Sequence, residues 1–202
     1  GVTDKGDVRQ IGKADDKPDE LYAITENNKL KSTKHVTVND KTILPELAKD
    51  RNKTVERDGV GSITQQGILS YATSSNKKEI ANIFLFVSKN SKAEWALYTS
   101  KNNDKRSYTL GTLGLDNNAP SITNLNLIEN SVTSMIHSHV NNFDQNSEHE
   151  SMWGDKLLSP DTHYKYYMFG SETNNFYEVT KLGTSNFIEK INAVDQLYKY
   201  MK

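Results

Sequence analysis

Two histidines one residue apart, His137 and His139, close the apolar run SMIHSHV (134–140). Alternate side chains of a β-strand share a face, so these imidazoles project together, about 6–7 Å apart along the backbone. At that spacing two ring nitrogens can converge on one Zn²⁺, whose bonds to histidine are about 2.0–2.1 Å long. The bland alternative is a strand end carrying two half-exposed histidines. A catalytic zinc needs a third protein ligand and one open position for water. The next segment, NNFDQNSEHESMWGDKLLS (141–159), is polar and offers Asp144, Glu148, Glu150 and Asp155, with His149 as a further candidate.

Hydrolysis would also need a base. Glu94, in KAEWALYTS (92–100), stands between a predicted helix and an apolar strand. It is either a solvated junction residue or a carboxylate held at the mouth of a sheet to take a proton from water.

The elements that must position these residues are legible as patterns. In NKKEIANIFLFVSKN (76–90), Ile80, Ile83, Phe84 and Val87 follow the spacing of one buried helix face. Asn76 with Glu79 three residues on reads as a capping box. AEWALYTS (93–100), RSYTLGTLGL (106–115) and SVTSMIHSHV (131–140) read as strands, and HYKYYMFG (163–170) with NFYEVT (175–180) as a hairpin. SNFIEKINAVDQLYKYM (185–201) is predicted to be a second amphipathic helix. Earlier in the chain, Leu21–Thr25 and Lys34–Val38 read as two strands joined by an Asn-rich turn, and KTILPELAKD (41–50) as a short helix. Residues 1–19 are expected to be irregular or loosely docked. The segment 51–73 is ambiguous, since Gly59, Gly61 and Gly67 interrupt any long element. Helices mixed with hairpins indicate an α+β fold with a largely antiparallel sheet. Within it, Tyr164, Tyr166, Tyr167 and Phe169 are expected to be strand core and surface, and His35 and His163 to be structural.

Bulk properties narrow the function. The 202 residues carry a formal charge of −1 with no basic block, so a dedicated nucleic-acid or anionic-membrane surface is not expected. Runs such as IFLFV are too short to span a bilayer. With no cysteine, disulfides, thiolate metal sites and cysteine nucleophiles are excluded. The opening GVTDKGD lacks an initiator Met and a signal-peptide pattern, and reads as the start of a fragment of something longer or of a mature form.

Taken in order, EIANIFLFVSKNSKAEWALYTS, MIHSHV, SMWGD and HYKYYMFGSETNNFYEVT resemble the JAMM metalloproteases, also called JAB or MPN domains, over about residues 76–182. The lead-in KPDELYAITENNKLKSTKHVTVNDKTIL (17–44) and EWALYTS look most like the JAB-like toxin domains at the C-terminal ends of bacterial Rhs-type polymorphic toxins. The resemblance implies a JAMM-like mixed sheet flanked by helices over 71–202, preceded by an extension or linker (1–70) with a short hairpin. It implies Zn²⁺ held by His137, His139 and Asp155, Glu94 as the base, and Ser151 as a residue that steadies the reacting carbonyl; Ser138 matches the small residue between the histidines. The implied activity is cleavage of a peptide or isopeptide bond, deubiquitinase-like, by the toxin domain of a larger bacterial protein that is secreted or delivered to another cell, with a cognate immunity protein as partner. Two positions depart from the family pattern. Val140 replaces the proline after the second histidine, and the fifteen residues between His139 and Asp155 make a longer gap than the pattern has. Two other readings remain, a metal-dependent nuclease toxin and a non-catalytic JAMM-like interaction domain.

Overall fold

Strand-forming segments alternate with one long helix along the chain. The order is β1 (Asp19–Ile24), β2 (Leu30–Val38), α1 (Ile43–Leu47), β3 (Arg51–Glu56), β4 (Thr64–Ser74) and α2 (Lys77–Asn90). There follow β5 (Trp95–Asn102), β6 (Lys105–Thr112), β7 (Val132–His139), β8 (Lys165–Gly170), β9 (Asn175–Val179), β10 (Ser185–Lys190) and α3 (Val194–Leu197). The computed structural model describes residues 1–13, 15–56, 64–140, 163–179 and 185–202. Eight strands form one sheet in the order β10-β9-β8-β7-β5-β6-β4-β3, and β1 pairs with β2 in a separate hairpin. Every neighbour in the large sheet is antiparallel except β7 and β8, which run parallel. The fold is α+β with a largely antiparallel sheet, as the sequence predicts. Among the described residues no helix is long and apolar enough to cross a membrane.

The sheet is buried on both faces. Trp95, Leu97, Leu110, Ile136, Tyr167 and Phe169 pack towards α2, whose Ile80, Ile83, Phe84 and Val87 are fully enclosed. On the opposite face Ala96, Tyr98, Leu113, Leu125, Met135, Tyr166 and Met168 form a second cluster. The stripe on α2 thus behaves as its spacing demands. Its cap does so only in part. Asn76 accepts the Glu79 N–H at 3.2 Å, but the Glu79 carboxylate does not return to Asn76. It accepts instead from the N–H and side-chain amide of Asn39 (2.8 and 2.9 Å) and from the N–H of Asp40 (3.1 Å). These bonds tie the end of the β1–β2 hairpin to the start of α2.

Several expectations change. The predicted helix over 185–201 is a strand followed by a short helix. Its first part pairs with the open edge of β9, Phe187 lying opposite Tyr177, and only Val194–Leu197 is helical. A free strand edge offers a row of backbone partners, and that tertiary gain overrides a helical period. Of the apolar residues expected on its buried face, Ile191 and Met201 are buried, Ile188, Val194 and Tyr198 are partly buried, and Phe187 is exposed. The lead-in is irregular but firmly docked, with Val2, Thr3 and Val8 buried and Val2 bridging to Val8 and Ala23. The ambiguous stretch is the β3–β4 hairpin. Gly67 does not break it; a Cβ there would sit 2.9 Å from the Leu113 carbonyl oxygen, so glycine permits a close backbone approach.

β4 pairs with β6 from Ser70 to Ser74, so the expected division at residue 70 falls inside a strand of the large sheet. His35 lies in β2 with its ring 4.9 Å from that of Tyr22, and His163 sits in a bend before β8 rather than in a strand. Replacement of Glu79 by Ala removes three accepted hydrogen bonds at a buried site. Urea unfolding is expected to show a loss of about 2–3 kcal/mol, in the range for bonds to a charged acceptor. A loss below about 0.5 kcal/mol, the level of ordinary surface substitutions, would mean that water replaces the carboxylate at no cost.

Candidate metal centre

β7 delivers the two histidines to one buried place. It pairs with β5 on one edge, Ala96 opposite His137, and with β8 on the other, His137 opposite Met168 and His139 opposite Gly170. Period-two alternation puts Met135, His137 and His139 on the face away from α2. His137 and His139 are 1% and 5% exposed, so they are not the half-exposed pair of the bland alternative. Their Nε2 atoms approach to 2.5 Å, with ring centroids 4.5 Å apart and planes at 60°. Both nitrogens therefore address the same point. Tetrahedral ligation with bonds of about 2.0–2.1 Å needs the two donors about 3.3 Å apart, wider than the 2.5 Å seen here.

Glu94 joins them from the junction between α2 and β5. Its backbone is held on both sides. The Glu94 N–H donates to the Leu115 carbonyl at 2.7 Å, and the Thr112 hydroxyl donates to the Glu94 carbonyl at 2.7 Å. The next residue is tied to β7 itself, since the Trp95 N–H donates to Ser138 Oγ at 3.0 Å. The hydroxyl between the two histidines therefore fixes the strand that carries the carboxylate. Glu94 Oε1 lies 3.8 Å from His139 Nδ1, with both side chains buried. That distance is too long for a hydrogen bond.

A second ring of groups steadies the histidines. Tyr166 on β8 stacks on His137 with centroids 5.1 Å apart and planes 12° from parallel. The N–H and hydroxyl of Ser171 both donate to the His139 carbonyl, at 3.0 and 2.9 Å, fixing the strand end. Trp95 is anchored to α2 in its turn: its indole N–H donates to Ser91 Oγ at 2.9 Å, and Ser91 donates to the Val87 carbonyl.

Of the residues predicted for the site, His137, His139 and Glu94 are brought together. Asp155 and Ser151 lie outside the described residues, as do Asp144, Glu148, His149 and Glu150. Among the described residues no group of three His, Cys, Asp or Glu side chains is placed to hold a metal ion. Sequence reasoning missed Thr112, Tyr166 and Ser171. Tyr166 passed as one more core aromatic, and only the parallel pairing of β7 with β8 sets it on His137. Thr112 and Ser171 carry no local signal at all.

Residues 72–165 match the family model described as JAB-like toxin 1, a span that includes Glu94, His137, His139, Ser151 and Asp155. No curated protein and no solved structure matches the chain.

Replacing Ser138 by Ala leaves the Trp95 N–H without its acceptor in a place closed to water. A loss of about 1–3 kcal/mol is expected in urea unfolding, the cost of an unsatisfied buried donor. Unchanged stability would show that the β5–β7 ladder alone holds Trp95 and Glu94 in place.

Proposed function

We propose, from the match of residues 72–165 to a JAB-like toxin family, that the chain hydrolyses a peptide or isopeptide bond with Zn²⁺, as the toxin or effector part of a larger secreted bacterial protein. The observation that supports this reading is the convergence of two buried Nε2 atoms, 2.5 Å apart, with a buried carboxylate 3.8 Å from the second ring. Imidazole and carboxylate donors without thiolate fit zinc in its catalytic rather than its structural sites. When bound, the ion supplies Lewis acidity towards a carbonyl oxygen and towards water.

The protein's own groups would do the rest. His137 and His139 present Nε2, and Asp155 is our choice for the third ligand, as the resemblance to the JAMM metalloproteases implies. Glu94 takes a proton from the attacking water and returns it to the leaving amine, so the amide is cleaved without a covalent intermediate. Thr112, Leu115 and the Ser138–Trp95 bond hold the Glu94 backbone at its station. Tyr166, stacked on His137, restricts the swing of that ring. Ser151 is assigned either to polarise the scissile carbonyl or to steady the tetrahedral intermediate.

Metal analysis of the purified chain given zinc should find about one ion per molecule, the stoichiometry of a three-ligand catalytic site. His137→Ala and Asp155→Asn should lose it, while Asp144→Asn keeps it. Retention in Asp155→Asn with loss in Asp144→Asn would move the third ligand to Asp144.

Glu94→Gln separates catalysis from metal binding. The amide matches the carboxylate in size but accepts no proton, so zinc and fold should persist while hydrolysis falls by about 10²–10⁴. Loss of zinc in that variant would make Glu94 a ligand, and unchanged hydrolysis would return it to the role of a junction residue. Cleavage of nucleic acid with no peptide or isopeptide cleavage would install the nuclease reading instead.

A further inference from the structure

The start of the lead-in folds back on itself. The Thr3 N–H donates to the Asp7 carbonyl and the Gly6 N–H to the Thr3 carbonyl, each at 3.0 Å, and the Arg9 N–H donates to the Gly1 carbonyl at 2.8 Å. Gly6 closes the turn with a φ of +83°, a conformation that glycine adopts at no steric cost. The foot of the turn is fixed to β1. The Val2 N–H donates to the Tyr22 carbonyl at 2.8 Å, and the Ile24 N–H donates to the Val2 carbonyl at 2.9 Å. Val2 and Thr3 are fully buried, and Lys31 of β2 pairs with Asp4.

The tip of this turn lands on the junction that carries Glu94. The Lys92 N–H, two residues before Glu94, donates to the Asp4 carbonyl at 2.6 Å. Gly6 lies against Ala93, the residue next to Glu94. A Cβ on Gly6 would stand 2.6 Å from the Ala93 Cβ, and 3.7 Å from both Cγ2 and Oγ1 of Thr112. Thr112 is the residue whose hydroxyl donates to the Glu94 carbonyl. The Lys5 carbonyl oxygen comes within 3.4 Å of the place a Cβ would take on Gly114, whose N–H donates to Thr112 Oγ1 at 3.1 Å. Asp4, Lys5 and Gly6 thus brace both the chain that enters Glu94 and the end of β6 that catches it. The ladder needs such bracing here. Trp95 lies opposite Thr112, yet the Glu94 N–H bonds to Leu115, so the pairing bulges at Leu113 and Gly114. A bulge re-aims a side chain and disrupts the local ladder that would otherwise hold it.

We propose that the Thr3–Asp7 turn is a clamp that positions the base Glu94, with Gly6 as its positioning residue. What Glu94 does once positioned rests on the hydrolase reading above. The family match begins at residue 72, so the clamp is supplied from outside the matched span. Carbon atoms pack at about 3.5–4.0 Å, so a Cβ on residue 6 would drive the turn and Ala93 apart by about 1 Å. A displacement of that size costs about 10²-fold in rate when it reaches a reacting group. Gly6→Asn tests the contact, because asparagine tolerates positive φ and keeps the turn while adding the Cβ. Gly12→Ala is the control, since a Cβ there meets nothing within 4 Å. Both variants are made in the full chain and given zinc, and circular dichroism checks their fold. In Gly6→Asn, amide exchange followed by NMR should quicken by about tenfold or more at Lys92 and Glu94, with His137 and His139 unchanged. On the best-cleaved member of a quenched fluorogenic peptide library, kcat should fall by about 10–10²-fold, with KM and zinc content unchanged. Gly12→Ala should match the wild type throughout. Unchanged exchange at Lys92 and Glu94 in Gly6→Asn overturns the clamp, as does faster exchange with unchanged kcat. Equal quickening at His137 and His139 overturns it too, by making the turn a general support of the fold. A wild type that cleaves no peptide rejects the hydrolase reading alone, and the exchange rates then decide whether the turn holds Glu94.

Discussion

β7 is hydrogen-bonded along both edges and buried on both faces, and this double enclosure is the constraint on which the site depends. Its odd residues Met135, His137 and His139 face one core, and its even residues Ser134, Ile136 and Ser138 face α2. A slip of one residue would carry the histidines under the helix and bring Ile136 into their place. Several contacts oppose such a slip. The Ser138–Trp95 bond pins β7 to β5 at one point, and Tyr166 stacked on His137 pins it to β8 at another. Ser171 then closes the strand end on the His139 carbonyl. Each contact has its own geometric requirement, so the register that satisfies all of them is unique.

The same contacts place Glu94. This residue belongs to no strand of its own, lying between the end of α2 and the start of β5. Junctions of that kind usually wander with the loops that contain them. Here the backbone on each side is caught, by Leu115 and Thr112 at Glu94 and by Ser138 at Trp95. Trp95 extends the connection through Ser91 to Val87 in the last turns of α2. The helix, the junction and the histidine strand therefore form one connected frame. That frame is what keeps the Glu94 carboxylate beside the His139 ring.

The C-terminal segment uses β7 in a different way. β10 extends the sheet by covering the edge of β9, and the residues after it fold back over the start of β7, where Lys199, Tyr200 and Lys202 meet Ser134. One strand thus contributes a nitrogen pair at one end of one face and a hydroxyl at the other end of the opposite face. Alternation along the strand keeps these two environments apart while the sheet joins them rigidly.

What the sequence determined by itself is the chemistry that rides on local periodicity. The four enclosed apolar residues of α2, the common face of His137 and His139, the β1–β2 hairpin and the β8–β9 hairpin all depend on neighbours within a few positions. The nature of the helix cap was legible only by half, because Glu79 found a stronger set of donors in Asn39 and Asp40, some forty residues away. The residues from 185 onward show the same limit. Only Ile191 and Met201 of their expected apolar face are buried, and the element is a strand, since an open edge of β9 is not visible in the segment that fills it. Tertiary structure alone decided that Tyr166 would stack on His137 and that Ser138 would hold the strand of Glu94. The physical reason is common to all of these. Side-chain direction follows from the backbone repeat, but which side chains meet follows from strand order and register, and those are settled by contacts between segments far apart in the chain.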